Sequence, residues 1–239
     1  MLLLGAVALF EPVNGYQIRR ELKSWQVDEW ANINPGSIYH ALNSLATQGH
    51  LVRHDLIDGG RSVTVYEITD QGRAEMAGLV AEALESVDIY SGSAFFAAFA
   101  MMTLLERPVA IGHLSFRLEA VEKQIRELDE IVSTNPSAAP PHAVAGMRLL
   151  VDKLRAERSW LIETLDDVRS GRFDFVGETT SWTPRDDDPG WQMDADRKRY
   201  RSLLGRPDTP PQPMNDDARY LINPADRERY RALIRRRRH

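Results

Sequence analysis

The chain has 239 residues, 43% hydrophobic and 27% charged, close to the averages of a globular protein, which excludes wholesale disorder and a collagen-like fibre; the length suits one large domain or two modest ones. With no cysteine, disulfide frameworks, thiolate zinc sites, iron–sulfur clusters and cysteine nucleophiles are excluded, and a reducing cytoplasmic location is expected. The net charge of −5 argues against indiscriminate polyanion binding. Its distribution matters more: residues 1–80 carry 6 basic and 9 acidic groups, 81–172 carry 10 and 14, and 173–239 carry 14 and 12, so only the tail is net positive.

The longest apolar stretches, Met1 to Phe10 and Ala94 to Leu105, fall short of the ~20 residues that cross a bilayer, so no membrane partner is expected. Leu2, Leu3, Leu4, Val7, Ala8 and Leu9 recur at helical offsets and stop before Pro12, which predicts a short core helix. Asn14-Gly15 reads as a turn. Ile18 and Leu22 then predict a second short helix with Arg19, Arg20 and Lys23 outward. Trp25 to Ile33 has no clear period, and its two tryptophans read as cover for the core. Asn34-Pro35 is the sharpest local signal: Asn caps with its side-chain oxygen, and Pro at the first helical position gives up only an N–H without a partner. The third helix lines Ile38, Ala41, Leu42 and Leu45 along one face and Gly36, His40, Asn43, Ser44 and Thr47 along the other, and Gly49 closes it. Two runs rich in branched residues, Leu51 to Ile57 and Ser62 to Ile68, flank Asp58-Gly59-Gly60 and predict a β-hairpin. Thr69 is placed to cap a fourth helix running from Asp70 toward Tyr90.

Three helices, a hairpin and a helix over residues 1–85 read as a winged helix-turn-helix DNA-binding domain with the third helix as reader. The strings Gly15-Tyr16, Pro35-Gly36-Ser37-Ile38-Tyr39-x-x-Leu42-x-x-Leu45-x-x-x-Gly49 and Tyr66-x-Ile68-Thr69-x-x-Gly72 resemble, in this order, the PadR family of bacterial transcriptional regulators. The resemblance implies a homodimer with a helical C-terminal dimerisation domain and a small, often aromatic effector bound near the dimer interface. It gives Ser37 and Tyr39 a DNA-contact role.

Ala94 to Leu105 is apolar nearly all round, as in a helix buried between neighbours. After Pro108, Leu114, Leu118, Val121, Ile125, Leu128 and Val132 form a heptad seam. A loop over Asn135 to Pro141 reverses the chain into a second long helix with Met147, Leu150, Leu154, Leu161, Leu165 and Val168 in similar phase. The two helices are expected to pack antiparallel and also across a two-fold axis, so residues 91–171 read as a helical coiled-coil dimerisation domain with Leu114, Leu118, Val121, Ile125, Leu128, Leu154, Leu161 and Leu165 at the dimer interface. The fold class is thus mainly α with a small hairpin. Residues 172–239 form a Pro- and Arg-rich extension in which 195–206 and 225–236 match at 8 of 12 positions, an internal duplication. Each copy predicts a short helix with a one-sided Tyr and Leu patch, on a strap expected to dock on the helical body.

By helical phase His40 and Asn43 can reach base edges in a major groove, with Asn34, Ser37 and Tyr39 near the helix start and its positive end. Residues 34–49 hold no Lys or Arg, so phosphate contacts fall to Arg19, Arg20, Lys23, Arg53 and Arg61. The expected partner is double-stranded DNA with an inverted-repeat operator, half-sites ~10 base pairs apart. Phe95, Phe96, Phe99 and Trp160 are candidates for lining an effector cleft. The histidines His40, His50, His54, His113, His142 and His239 are dispersed, and neither a Gly-rich phosphate loop nor a Gly-x-Ser-x-Gly elbow occurs; no enzyme, metal or cofactor is expected. The reading is a transcriptional regulator, a repressor released by a small effector or signal. The alternative is an adaptor whose winged helix binds protein, supported by the acidic balance of residues 1–80.

Overall fold

A computed structural model describes residues 1–30, 35–134, 139–179, 183, 185–186, 188 and 190–209. In chain order they form α1 (Leu2–Phe10), β1 (Val13–Asn14), α2 (Gly15–Ser24), α3 (Val27–Trp30), α4 (Ile38–Thr47), β2 (Leu51–Asp58), β3 (Arg61–Ile68), α5 (Asp70–Glu85), α6 (Ser93–Met101), α7 (Arg107–Thr134), α8 (Pro141–Ser170) and α9 (Gly190–Leu203). The fold is mainly helical with one small antiparallel sheet of order β1-β3-β2, the arrangement of a winged helix.

Local chemistry explains most boundaries. Asn14-Gly15 is not a free turn. Val13 and Asn14 pair with Tyr66 and Val65 of β3, while the Asn14 side chain accepts from the Gln17 N–H at 2.9 Å and the Gln17 carboxamide accepts from the Asn14 N–H at 3.0 Å. This reciprocal cap satisfies two donors at once and starts α2. Between Trp25 and Trp30 the chain makes the single turn α3, and Trp30 Nε1 donates to the Trp25 carbonyl at 2.9 Å; both rings pack half-buried on the core. Pro35–Ser37 is a 3₁₀ turn leading into α4, so regular helix begins at Ile38; Asn34 lies outside the described residues. In the hairpin Asp58 pairs with Arg61, and Gly59 and Gly60 both take positive φ, as a two-residue turn between right-twisted strands requires.

Thr69 caps α5 as expected, accepting from the Gly72 N–H at 2.9 Å. The helix stops at Glu85 and not near Tyr90, because the Asp88 carboxylate accepts from the N–H groups of Tyr90 and Ser91 and folds that stretch into a side-chain turn that competes with helix. The apolar run 94–105 also differs from expectation. It breaks into a 3₁₀ turn after Met101, and Phe96 stands out to solvent at 63% exposure.

One apolar core runs from α1 through α5 and α6 into α7 and α8. Helices α7 and α8 form an antiparallel pair tied along its flanks by Arg117–Glu157 at 2.6 Å, Arg158–Glu122 at 2.9 Å and Arg155–Asp129 at 2.8 Å. Leu114, Leu118, Val121, Leu128, Leu154, Leu161 and Leu165 are buried inside this single-chain core and Ile125 packs partly buried against it. Each such side chain contributes ~1.5–3 kcal/mol of apolar burial to the fold of one chain.

The extension corrects the sequence reading in two ways. Its first helix starts at Gly190, ahead of the repeat, and it docks on the winged-helix elements instead of the α7–α8 body. Met193 and Tyr200 are buried, Asn14 Nδ2 donates to Tyr200 Oη at 2.9 Å, and Arg201 donates to the Glu11 carbonyl at 3.3 Å. The second copy, 225–236, and the arginine run 235–238 lie outside the described residues. Among the described residues no helix is long and apolar enough to cross a membrane.

Candidate nucleic-acid interface

Helix α4 buries Ile38 and Leu42 and turns Ser37, His40, Asn43 and Thr47 outward, the division its 3.6-residue period dictates. From Ser37 to Thr47 this segment carries no Lys, Arg, Asp or Glu. Its outward face is a polar ridge without like-charge repulsion toward a phosphate chain.

Two contacts fix the ridge. Tyr39, 43% exposed, lays its ring against the first turn of α2. A Cβ on Gly15 would come within 2.7 Å of a ring carbon, so only glycine lets the ring approach. Tyr16, beside it on α2, is 64% exposed. Asn43 is oriented by the hairpin: Tyr66 Oη donates to Asn43 Oδ1 at 3.1 Å, and Arg53 Nη1 approaches the same oxygen at 3.4 Å. With both lone pairs engaged, the amide N–H₂ is left as the outward group. A donor so held suits acceptors on a base edge, such as the N7 and O6 of guanine.

Strand register places these groups on one face of the hairpin. Arg53 opposes Tyr66 and Asp55 opposes Thr64, so all four project toward α4, while Asp58, His54, Val65 and Glu67 project to the opposite face. Asp55 is held below the usual carboxylate range, first by the hydrogen bond from Thr64 Oγ1 and next by that from Arg53. Burial pushes the Tyr66 phenol up, which keeps it a donor to Asn43.

The five basic candidates divide. Arg53 pairs with Asp55 at 3.0 Å and Arg20 with Glu21 at 3.2 Å, so both charges are offset locally. Arg19, Lys23 and Arg61 are exposed and make no ion pair among the described residues. Sequence reasoning did not single out Tyr16 as a contact, although it stands in the quoted Gly15-Tyr16 string, nor Tyr66 as the group that orients Asn43. The Tyr66 role depends on strand register, which no local pattern carries.

Phe95, Phe96 and Trp160 line a cavity of about 490 Å³ between the 88–92 loop, α6 and α8. Phe99 lies behind the wall, its ring centroid 5.0 Å from that of Trp160. The Arg117 guanidinium sits 3.8 Å over the Phe95 ring and is engaged by Glu157 and by the backbone carbonyls of Leu84 and Ser86. His54 Nε2 meets Glu67 Oε2 at 2.7 Å and His113 Nδ1 meets Glu85 Oε1 at 2.7 Å.

No curated protein matches the chain. Among solved structures it resembles the crystal structure of Bacillus subtilis PadR in complex with operator DNA, at 18% identity and a TM-score of 0.28, over 70% of this chain and 97% of that one. The family model described as the transcriptional regulator PadR-like family matches residues 3–78, which span α1, the three strands, the α4 ridge and the first half of α5. Through residues 3–78 the chain carries a domain of the PadR-like transcriptional regulator family.

Proposed function

We propose that the chain is a sequence-specific regulator of transcription that inserts α4 into the major groove of double-stranded DNA. The observation that carries this reading is the uncharged, outward ridge of α4 with the Asn43 amide held by Tyr66 and Arg53 so that its N–H₂ points away from the protein. Asn43 and His40 read bases, Ser37 and Tyr39 contact phosphate near the helix start, and Arg19, Lys23 and Arg61 supply the charge. A mobility-shift titration against the promoter region of its own operon tests this. Binding no tighter than to scrambled DNA of equal length would remove the proposal.

The division of labour assigns DNA contact to residues 1–85, pairing of two chains to 91–171, and modulation to 172–239. The exposed Tyr90, Phe96, Leu149 and Trp160 supply the pairing face. Leu149 and Trp160 are eleven residues apart and so share one side of α8, and Tyr90, Phe96 and Trp160 also line the cavity. Exposed aromatic side chains gathered around one cavity mark interaction sites. A partner seated there would close the cavity over a small aromatic effector, coupling its binding to the spacing of the two α4 helices and releasing a repressor from an inverted-repeat operator. Phe96→Asp with Leu149→Asp should give a folded single chain by light scattering; a dimer that survives both would remove this face. The acid excess of residues 1–80, 9 against 6, favours a second reading, an adaptor binding protein through the same ridge, and the mobility-shift experiment separates the two.

A further inference from the structure

Helix α9 occupies a seat made by the α2 cap, β1 and the face of the hairpin turned away from α4. Four of its side chains, with Arg206 just beyond its end, hold it there. Asp196 Oδ2 accepts from Gln17 Nε2 at 2.8 Å, Arg199 pairs with Asp58 at 2.9 Å, Tyr200 Oη accepts from Asn14 at 2.9 Å, Arg201 donates to the Glu11 carbonyl at 3.3 Å, and Arg206 pairs with Glu67 at 2.5 Å. Thirty residues on, the counterparts are Asp226, Arg229, Tyr230, Arg231 and Arg236, the same residue type in every case. The four positions where the copies differ are Lys198, Ser202, Leu204 and Gly205, against Glu228, Ala232, Ile234 and Arg235. Lys198, Ser202 and Gly205 are exposed, Lys198 pairs within α9 to Asp194, and Leu204 exchanges for another aliphatic. The duplication has kept all five groups that touch the seat, and the four positions that changed lie outside them.

We infer that residues 225–236 are a second ligand of this seat, in the same chain, exchanging with α9. Reach is no obstacle. The intervening residues 207–224 span up to ~60 Å when extended, whereas returning over a twelve-residue helix requires only ~18 Å. Tethering also places the second copy at an effective concentration on the order of millimolar. The two are not equal ligands: the buried anchor Met193 of α9 has Asn223 as its counterpart. Losing that burial gives α9 a roughly ten- to hundredfold preference, so the second copy is the minor occupant until α9 is weakened.

The absence of native cysteine makes thiol cross-linking specific. In the full chain, Asp58→Cys with Arg229→Cys is treated with a short bis-maleimide, with Asp58→Cys and Arg199→Cys as the reference for α9. The expected product is an intrachain cross-link at 229, forming more slowly than at 199, and roughly tenfold faster when Tyr200→Ala weakens α9. Tyr230→Ala with Arg231→Ala should abolish it; these substitutions touch none of the residues that form the seat, so the seat stays intact when they are made. A rate unchanged by Tyr230→Ala and Arg231→Ala, no product at 229, or a product containing two chains only would overturn the inference.

Discussion

Gly15→Ala sets two effects of similar size against each other and separates stability from function. The new Cβ would lie 2.7 Å and 2.8 Å from two carbons of the Tyr39 ring and 3.5 Å from Leu42 Cδ1. Carbon atoms settle at ~3.5–4.0 Å, so the Leu42 contact is tolerable and the Tyr39 ring must retreat by close to ~1 Å. With the side chain 43% exposed, the ring has a way out toward solvent. The fold then loses part of one aromatic contact, worth ~1 kcal/mol, and gains at most ~1 kcal/mol from replacing Gly by Ala in the first turn of α2. The net change in urea-unfolding free energy should be within ~1 kcal/mol of zero. Operator affinity should behave differently, because the displaced phenol no longer meets its phosphate; loss of one such hydrogen bond, ~1–1.5 kcal/mol, weakens binding roughly tenfold. Fluorescence anisotropy on labelled operator reads this directly. Tyr39→Ala should weaken binding by the same factor, and the double variant no further, since both substitutions remove the same contact. Additive losses, or a Gly15→Ala protein that binds as tightly as the parent, would refute the argument.

Asn43→Asp keeps the oxygen that accepts from Tyr66 and Arg53 but removes the outward donor, so operator affinity should fall by ~1–3 kcal/mol with little change in melting temperature; equal binding would show that Asn43 reads nothing. Gly72→Ala places a Cβ 2.1 Å from the His50 carbonyl oxygen, a backbone atom that cannot swing aside. Separating α5 from β2 also strains the Thr69 N–H and Oγ1 bonds to that oxygen, so the urea midpoint should drop by the equivalent of ~3 kcal/mol, and an unchanged midpoint contradicts the packing. Arg107 holds the Glu178 carboxyl below its usual range, first through their hydrogen bond. Because the folded value is the lower one, this stability is present above the unfolded pKa and is lost as pH falls through the folded pKa; Glu178→Gln should lower the melting temperature at neutral pH and flatten the acid side of the profile. Finally, Arg199→Ala with Arg206→Ala removes the arginine charges paired with Asp58 and Glu67, leaving Glu67 only its contact with His54. Each freed acid ~10 Å from a phosphate costs ~0.4 kcal/mol in water, about tenfold for the four in a dimer at low salt. The loss should fade as salt shortens the screening length, and an affinity loss independent of salt would point to a structural cause.

What was legible in the sequence follows from where each signal resides. The heptads of α7 and α8, the Thr69 cap and the Gly59-Gly60 turn are local devices, and they lie where their patterns place them. A two-residue strand such as Val13–Asn14 has no period to detect; it exists because β3 offers an open edge that the chain passes on leaving α1. The same limit hid the partner of the extension. Of the patch read as Tyr200, Leu203 and Leu204, Tyr200 is buried but Leu203 stands exposed, and Arg201, assigned to the outward face, is buried instead; the partners of Tyr200 and Arg201, Asn14 and the Glu11 carbonyl, are nearly 190 residues away. The heptad seam shows a subtler limit: periodicity reveals that Leu118 and Leu128 are buried but cannot say by which chain. Within one chain both are buried by the packing of α7 on α8, while Ile131, Leu149, Trp160 and Ile162 keep exposed surface on the same two helices.

Charge ties the extension to the interface. Taken alone, residues 1–80 carry three more acids than bases, a poor surface for approaching a phosphate chain. Two of those acids, Asp58 and Glu67, lie on the hairpin face where α9 docks, and each is paired with an arginine from it. Residues 194–206 bring five bases against two acids, which balances the deficit, and they do so on the side of the hairpin away from α4. The reading ridge therefore remains uncharged and uncovered while the field around it is brought near neutral. With that repulsion removed, Arg19, Lys23 and Arg61 can act at the surface without opposing a net negative background. An acidic domain balanced in this way depends on its own C-terminal segment for its affinity for a polyanion, so displacement of α9 by a ligand of opposite charge balance would weaken DNA binding without touching a single residue of the ridge.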